Sequence, residues 1–170
     1  MIKLRYADIN LTTGEIKDYP VSDKYQELYL GGKSLGARIL YDEMPPHTHP
    51  LSAEAIIIIN TGPLTGTGAP CSSRFSTTIK NVLTGGIGQS NCGGLFGVKL
   101  RRAGFDGLII RGKASSWSYI EILDGEIVIK DASHLVGLNS EETQAQFPES
   151  YGKFVIGPAG ENLVSFACVV

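Results

Sequence analysis

Residues 61–97 read TGPLTGTGAPCSSRFSTTIKNVLTGGIGQSNCGGLFG, and the wider segment 61–113 holds 12 of the chain's 21 glycines. It also carries Arg74, Lys80, Lys99, Arg101, Arg102, Arg111 and Lys113 against a single acid, Asp106, a net charge of +6 within a chain of net −2. Glycine lets backbone N–H groups come close to a ligand, and clustered guanidinium and ammonium groups attract anions. The combination points to an anionic, phosphorylated ligand held largely by backbone, with the rest of the chain supporting that loop system.

Immediately before this segment, AIIIIN (55–60) is a continuous β-branched run that fits a strand covered on both faces. Working outward, residues 74–80 alternate as a strand, 82–94 read as loop, and 94–103 read as a helix stopped at Gly104. Residues 108–111 form another short strand. Towards the N-terminus, a strand over 4–11, a turn at Thr12-Thr13-Gly14 and a return over 15–19 make a β-hairpin. Ser22 is placed to cap a short helix through Tyr29 that Gly31-Gly32 ends, and 33–44 is a second helix stopped by Pro45-Pro46. Beyond the glycine segment, 119–123 and 127–129 flank Asp124-Gly125, a dipeptide suited to a type I′ hairpin turn. A helix starts at Ser140, residues 154–157 form a strand, and Pro158-Ala159-Gly160 turns. The fold expected is α+β: a β-sheet platform of mixed and antiparallel strands and hairpins with a few short helices.

The run NLVSFACVV (162–170) is apolar and strand-like. It is either a C-terminal strand tucked into the sheet or the point where a longer chain is cut, and the second is preferred. Residues 1–170 are then a single N-terminal platform.

Glycine at 21 of 170 residues exceeds the roughly 7% of average proteins, and no low-complexity tract accounts for it. No apolar run approaches the ~18 residues of a membrane span, and the alternating start MIKLRYADIN is unlike a signal peptide, so a cytoplasmic protein with no membrane partner is expected. The slightly acidic balance gives no pointer to nucleic acid. Cys71, Cys92 and Cys168 are far apart, with no CxxC pair, so neither a disulfide framework nor a four-thiolate metal site fits. His47 and His49 have metal-compatible spacing but no accompanying Cys or carboxylate in their loop, and a solvated linker is the better reading.

Two phosphate motifs fail when written out. The stretch from Gly88 to Gly93 has the first spacing of a P-loop, but Gly94-Leu95 stands where Lys and Ser/Thr belong. Gly86-Ile87-Gly88 begins like a dinucleotide fingerprint, yet Asn91 occupies the third glycine's place. What remains is SNCGG (90–94) leading into a helix, whose free N–H groups and dipole favour an anion. Arg74 can grip a phosphate or a carbonyl-rich heterocycle, and Asn91 can stabilise the turn or offer its backbone carbonyl to Mg²⁺. The same residues also fit a surface ion pair and a helix cap.

The motifs LTTGEI (11–16), YLGGKSLGARILYDEMPP (29–46), TGPLTGTGAP (61–70) with Ser73-Arg74, LTGGIGQSNCGGLFG (83–97), LRRAGFDGLIIRGKA (100–114), DASHLVG (131–137) and IGPAGEN (156–162) resemble, in order, the N-terminal domain of the aldehyde:ferredoxin oxidoreductase family. The resemblance implies a tungsten, or sometimes molybdenum, atom held by two pyranopterins bridged by Mg²⁺, with a [4Fe–4S] cluster nearby. It implies oxidation of aldehydes to carboxylic acids, with ferredoxin or another electron-transfer protein as acceptor. By the same resemblance, Arg74 contacts the pterin on the side facing the cluster. Asn91 binds at the phosphates, its backbone oxygen reaching the Mg²⁺, and Gly93 lets the chain approach the cofactor. The cluster cysteines, the acid/base residues and an Arg- and Gly-rich second half of the pterin grip lie in segments this chain does not contain. No tungsten or cluster ligand and no catalytic residue is therefore assigned here, and the chain alone is expected to be inactive without the remaining domains. Two other readings stay open: a tungstoenzyme acting on an aromatic thioester, and a stand-alone pterin- or phosphate-binding module or small subunit.

Overall fold

The computed structural model describes residues 3–170. Its centre is a six-stranded sheet of β1 (Tyr6–Asn10), β2 (Ile16–Tyr19), β3 (Ile56–Thr61), β4 (Phe75–Lys80), β5 (Ile87–Cys92) and β6 (Gly107–Arg111). The spatial order is β2-β1-β6-β3-β4-β5. Only β1 and β6 run parallel; the other neighbours are antiparallel, so the sheet is mixed.

The isoleucine run explains the layering. Ile56 and Ile58 pack on one face with Tyr6, Leu35, Ile39, Leu40 and Ile109, beneath helices α1 (Asp23–Tyr29) and α2 (Gly32–Glu43). Ile59 packs on the other with Ala7, Ile9, Phe75, Leu100, Phe105 and Leu108. That second face is covered by α3 (Phe96–Arg102) and by a hairpin of β7 (Ser118–Leu123) and β8 (Glu126–Asp131), whose Ile120, Ile122, Ile127 and Ile129 lean on it. Both faces are thus buried, as a β-branched run without alternation requires. Ile57, at the start of the strand, is the exception and is exposed.

Local signals behave as their chemistry dictates. Ser22 caps α1 through its side chain, which accepts from the Tyr25 N–H at 3.2 Å. Asp124 and Gly125 both take positive φ, 47° and 86°, as a type I′ turn demands. Helix α4 (Ser140–Ala145) starts with a capping box between Asn139 and Glu142.

Five expectations need correction. Residues 82–94 are not mostly loop: β5 forms a full edge ladder with β4, from Lys80↔Ile87 to Phe75↔Cys92. Its Gly, Gln, Ser and Asn residues have low strand preference, but pairing to a fixed neighbour prevails. Consequently SNCGG does not sit at a helix N-terminus; Ser90 to Cys92 belong to the strand, and α3 starts only at Phe96. Residues 154–157 form no sheet strand, because Phe154 is drawn into the core by ring contacts with Phe75 and Phe96 at 5.3 and 5.2 Å. Val155 exchanges two backbone bonds with Val170, and otherwise 162–170 is irregular, with Leu163 and Phe166 exposed. Finally, Pro158 starts a one-turn helix, α5 (Pro158–Glu161), rather than a turn.

Candidate functional site: an acid-free cleft at the sheet edge

Where β3 ends, β4 begins and β5 ends, the α2 side of the sheet carries a cleft of ≈ 340 Å³. Its floor comes from the strand register. Asn60 on β3 lies opposite Ser76 on β4, which lies opposite Asn91 on β5, so the three side chains form one row on the α2 face. Arg74, two residues before Ser76, and Gly62, two after Asn60, extend that face. Gly32 and Lys33 at the start of α2 form one wall, and the stretches 63–65 and 70–72 the other. Among the described residues, no Asp or Glu lines the cleft, whereas Arg74 and Lys33 both do. Its field favours an anion.

Arg74 and Asn91 meet here: Arg74 Nη1 donates to Asn91 Oδ1 at 2.9 Å, across the exposed rim. The ladder also sets Asn91's backbone. The Asn81 N–H donates to the Gly86 carbonyl at 2.8 Å, which makes that pair a hydrogen-bonded one. Hydrogen-bonded and non-hydrogen-bonded pairs alternate from there, and Asn91 opposite Ser76 falls in a non-hydrogen-bonded position. Its N–H and C=O therefore face away from β4, at the open edge of the sheet. A carbonyl so placed is available to a hard cation.

Gly93 lies just past the end of β5 and outside the cleft lining. A Cβ there would meet nothing within 4 Å, and its φ is not in the left-handed region. Neither packing nor backbone geometry in this chain calls for glycine at 93; the close approach of something outside the chain would.

Supporting contacts keep the cleft in shape. Arg101 on α3 donates to the carbonyls of Gly62 and Pro63 at 3.1 and 3.2 Å and pairs with Asp106 at 3.2 Å. Asp106 in turn accepts from the Arg5 N–H at 2.9 Å. The only acid of the glycine-rich segment is thus committed to structure, and six of its cations remain uncompensated within it. Thr65 Oγ1 bridges the walls, accepting from the Gly62 N–H and donating to the Arg74 carbonyl.

Sequence reasoning missed Asn60 and Ser76. Both are buried, and Asn60 Nδ2 and Oδ1 and Ser76 Oγ find no hydrogen-bond partner among the described residues. The one signal was the polar residue ending an otherwise apolar AIIIIN run. The cysteines are all free and exposed, with Cys71 in the cleft wall. Among the described residues there is no cluster of three His, Cys, Asp or Glu able to hold a metal; His49 Nδ1 accepts from the Leu51 N–H. Also among the described residues, no helix is long and apolar enough to cross a membrane.

The family pattern "Aldehyde ferredoxin oxidoreductase, N-terminal domain" matches residues 6–170, and the chain belongs to that family. It is 42% identical over 171 aligned positions to the tungsten-containing aldehyde ferredoxin oxidoreductase of Pyrococcus furiosus, covering 98% of this chain and 28% of that protein. Its identity to an aliphatic sulfonate oxidoreductase, WOR-like subunit, of the same organism is 30%, over 98% of this chain and 30% of that subunit. The fold matches a chain of the active site complex BamBC of benzoyl coenzyme A reductase with a TM-score of 0.92 at 34% identity, covering 98% of this chain and 26% of that one. The chain therefore spans only about 28% of the length of such curated relatives.

Proposed function

We propose that this chain is the cofactor platform of a tungsten or molybdenum bis-pyranopterin oxidoreductase that oxidises aldehydes to carboxylic acids and delivers electrons to ferredoxin. The observation that carries the reading is the acid-free cleft where Arg74 and Asn91 meet beside an outward-facing backbone carbonyl. A phosphorylated pterin with Mg²⁺ would use what this edge offers: the Arg74 guanidinium, the Lys33 ammonium and one carbonyl oxygen for the cation. Arg74 would hold the phosphate or ring end of the pterin, Asn91 the Mg²⁺ through its backbone oxygen, and the bare Gly93 would admit the cofactor's body. When bound, the metal–pterin group supplies the two-electron redox chemistry. This chain's residues bind and orient it and contribute no ligand to the metal or to a [4Fe–4S] cluster. The remaining domains supply the substrate pocket and the electron exit, so the isolated chain is inactive.

A second reading keeps the cofactor and changes the reaction to reduction of an aromatic thioester. It is favoured by the match, at 34% identity, to a benzoyl coenzyme A reductase chain. The test of the shared part is metal analysis and pterin fluorescence on the chain isolated from a host that makes pyranopterins. Tungsten or molybdenum retained with pterin is expected, and reduced retention in Arg74→Ala. An unrelated phosphorylated ligand in its place overturns the reading in favour of a stand-alone binding module.

A further inference from the structure

Helix α2 begins in an unusual way for a 12-residue helix. Its N-cap is Gly31, at φ 136°, and no side chain caps it. The N–H groups of Gly32, Lys33 and Ser34, which cannot bond within the helix, therefore have no capping partner among the described residues. Two of these residues, Gly32 and Lys33, line the cleft. Most helices in such a place carry Ser, Thr, Asp or Asn at the cap. The bare start leaves the positive end of the helix dipole, reinforced by Lys33, directed at the cavity.

A second, independent observation lies on the cleft floor. Asn60 is fully buried, lines the cleft, and leaves both carboxamide atoms unpaired; Ser76 beside it is 3% exposed and leaves its hydroxyl unpaired. Buried polar groups without partners are costly, and their clustering calls for a ligand or an explanation. The helix above offers Asn60 no partner, because Gly36 brings bare backbone against its carboxamide. With Arg74 also in the lining and no acid among the described lining residues, the unpaired donors, Asn60 Nδ2 and Ser76 Oγ, are suited to an oxyanion.

We propose that the N-terminal turn of α2, together with Asn60 and Ser76, forms a phosphate-holding subsite in the cleft, separate from the outward carbonyl of Asn91. The N–H groups of α2 and Lys33 supply the field, Asn60 Nδ2 and Ser76 Oγ donate from the floor, and Arg74 closes the rim. The inference rests on the platform reading above, since a phosphate ester of the pterin cofactor is the occupant that reading offers. Free inorganic phosphate offers the same chemistry.

The test is a titration of the nitrogen-labelled chain with inorganic phosphate, followed by amide spectra. Shifts confined to Gly32, Lys33, Ser34 and the Asn60 side-chain amide are expected. Ser34→Asp places a carboxylate at the third position of α2, where it favours the helix and competes with an anion. It should bind phosphate about fivefold more weakly with an unchanged or raised melting midpoint. Shifts only around Gly93 to Leu95, no shifts at all, or unaltered affinity in Ser34→Asp would each overturn the proposal. In chain isolated with pterin bound, the shifts should vanish if the cofactor's phosphate fills the subsite. If they persist, the occupant is free phosphate. Pterin retained while α2 stays silent overturns the subsite alone; phosphate at α2 with pterin never retained leaves the subsite standing and overturns the cofactor reading.

Discussion

Replacing Gly36 with alanine sets two opposing effects against each other at the floor of the cleft. Alanine is the better helix residue by about 1 kcal/mol. The new methyl, however, would stand 2.4 Å from Asn60 Nδ2 and 2.6 Å from Thr78 Oγ1, both on fully buried side chains of different strands. Overpacking of this kind costs about 1–3 kcal/mol, and two simultaneous contacts well inside van der Waals distance put it at the upper end. The net expectation is a loss of about 2 kcal/mol, or roughly 4–8 °C in melting midpoint for a chain of this size. Chemical denaturation followed by circular dichroism measures it. Truncating the nearer obstacle should return part of the loss: Gly36→Ala with Asn60→Ala should show a favourable coupling of about 1 kcal/mol relative to the sum of the single changes. A Gly36→Ala chain as stable as the parent, or strict additivity with Asn60→Ala, refutes the close helix-to-sheet approach on which the cleft's geometry rests.

Other perturbations probe separate parts of the account. Arg101→Met removes the brace on the Gly62 and Pro63 carbonyls and leaves Asp106 without its cation; a stability loss of about 2–3 kcal/mol is expected in urea titration, since neither partner is well exposed. Gly125→Ala, at φ 86° in the β7–β8 turn, should cost about 1–2 kcal/mol and loosen the hairpin, read by hydrogen exchange at Ile120 and Ile129. Burial, with Asp106 nearby as a lesser cause, pushes the Tyr6 phenol well above its usual value. The unfolded chain then releases that proton first, so stability is fully present below pH about 10 and falls by up to about 1.4 kcal/mol per pH unit above it. Tyrosinate absorbance across the alkaline transition should rise with unfolding, not before it, for this residue, and Tyr6→Phe should flatten the slope.

The parts of the fold that the sequence reveals are those in which side chains report burial or backbone. The AIIIIN run states that both sheet faces are covered, Asp-Gly states a type I′ turn, and Ser22 states a helix start, because each has one dominant physical cause. Strand β5 is hidden for the opposite reason. Its side chains are exposed on both faces, so no alternation marks it, and its existence depends on the backbone edge of β4. The apolar 162–170 run misleads because β-branched and aromatic residues predict a strand only where a partner edge is available; here Val170 alone pairs, with Val155. The candidate site follows the same division. Arg74 and Asn91 stand out by residue type and motif, and the structure brings them within 2.9 Å. Asn60, Ser76 and the bare start of α2 become visible only through register and missing hydrogen bonds, because Gly31-Gly32 reads in sequence as the end of one helix rather than the start of the next.

The central claim is that the α2 side of the sheet edge is a cofactor platform. Its most direct test is a crystal structure of the chain isolated from a host that makes pyranopterins. The account predicts ligand density over the cleft between Arg74 and the start of α2, with a cation on the backbone oxygen of Asn91. Ligand density elsewhere, with the cleft filled only by solvent and Asn91's carbonyl bound to nothing but water, would contradict it.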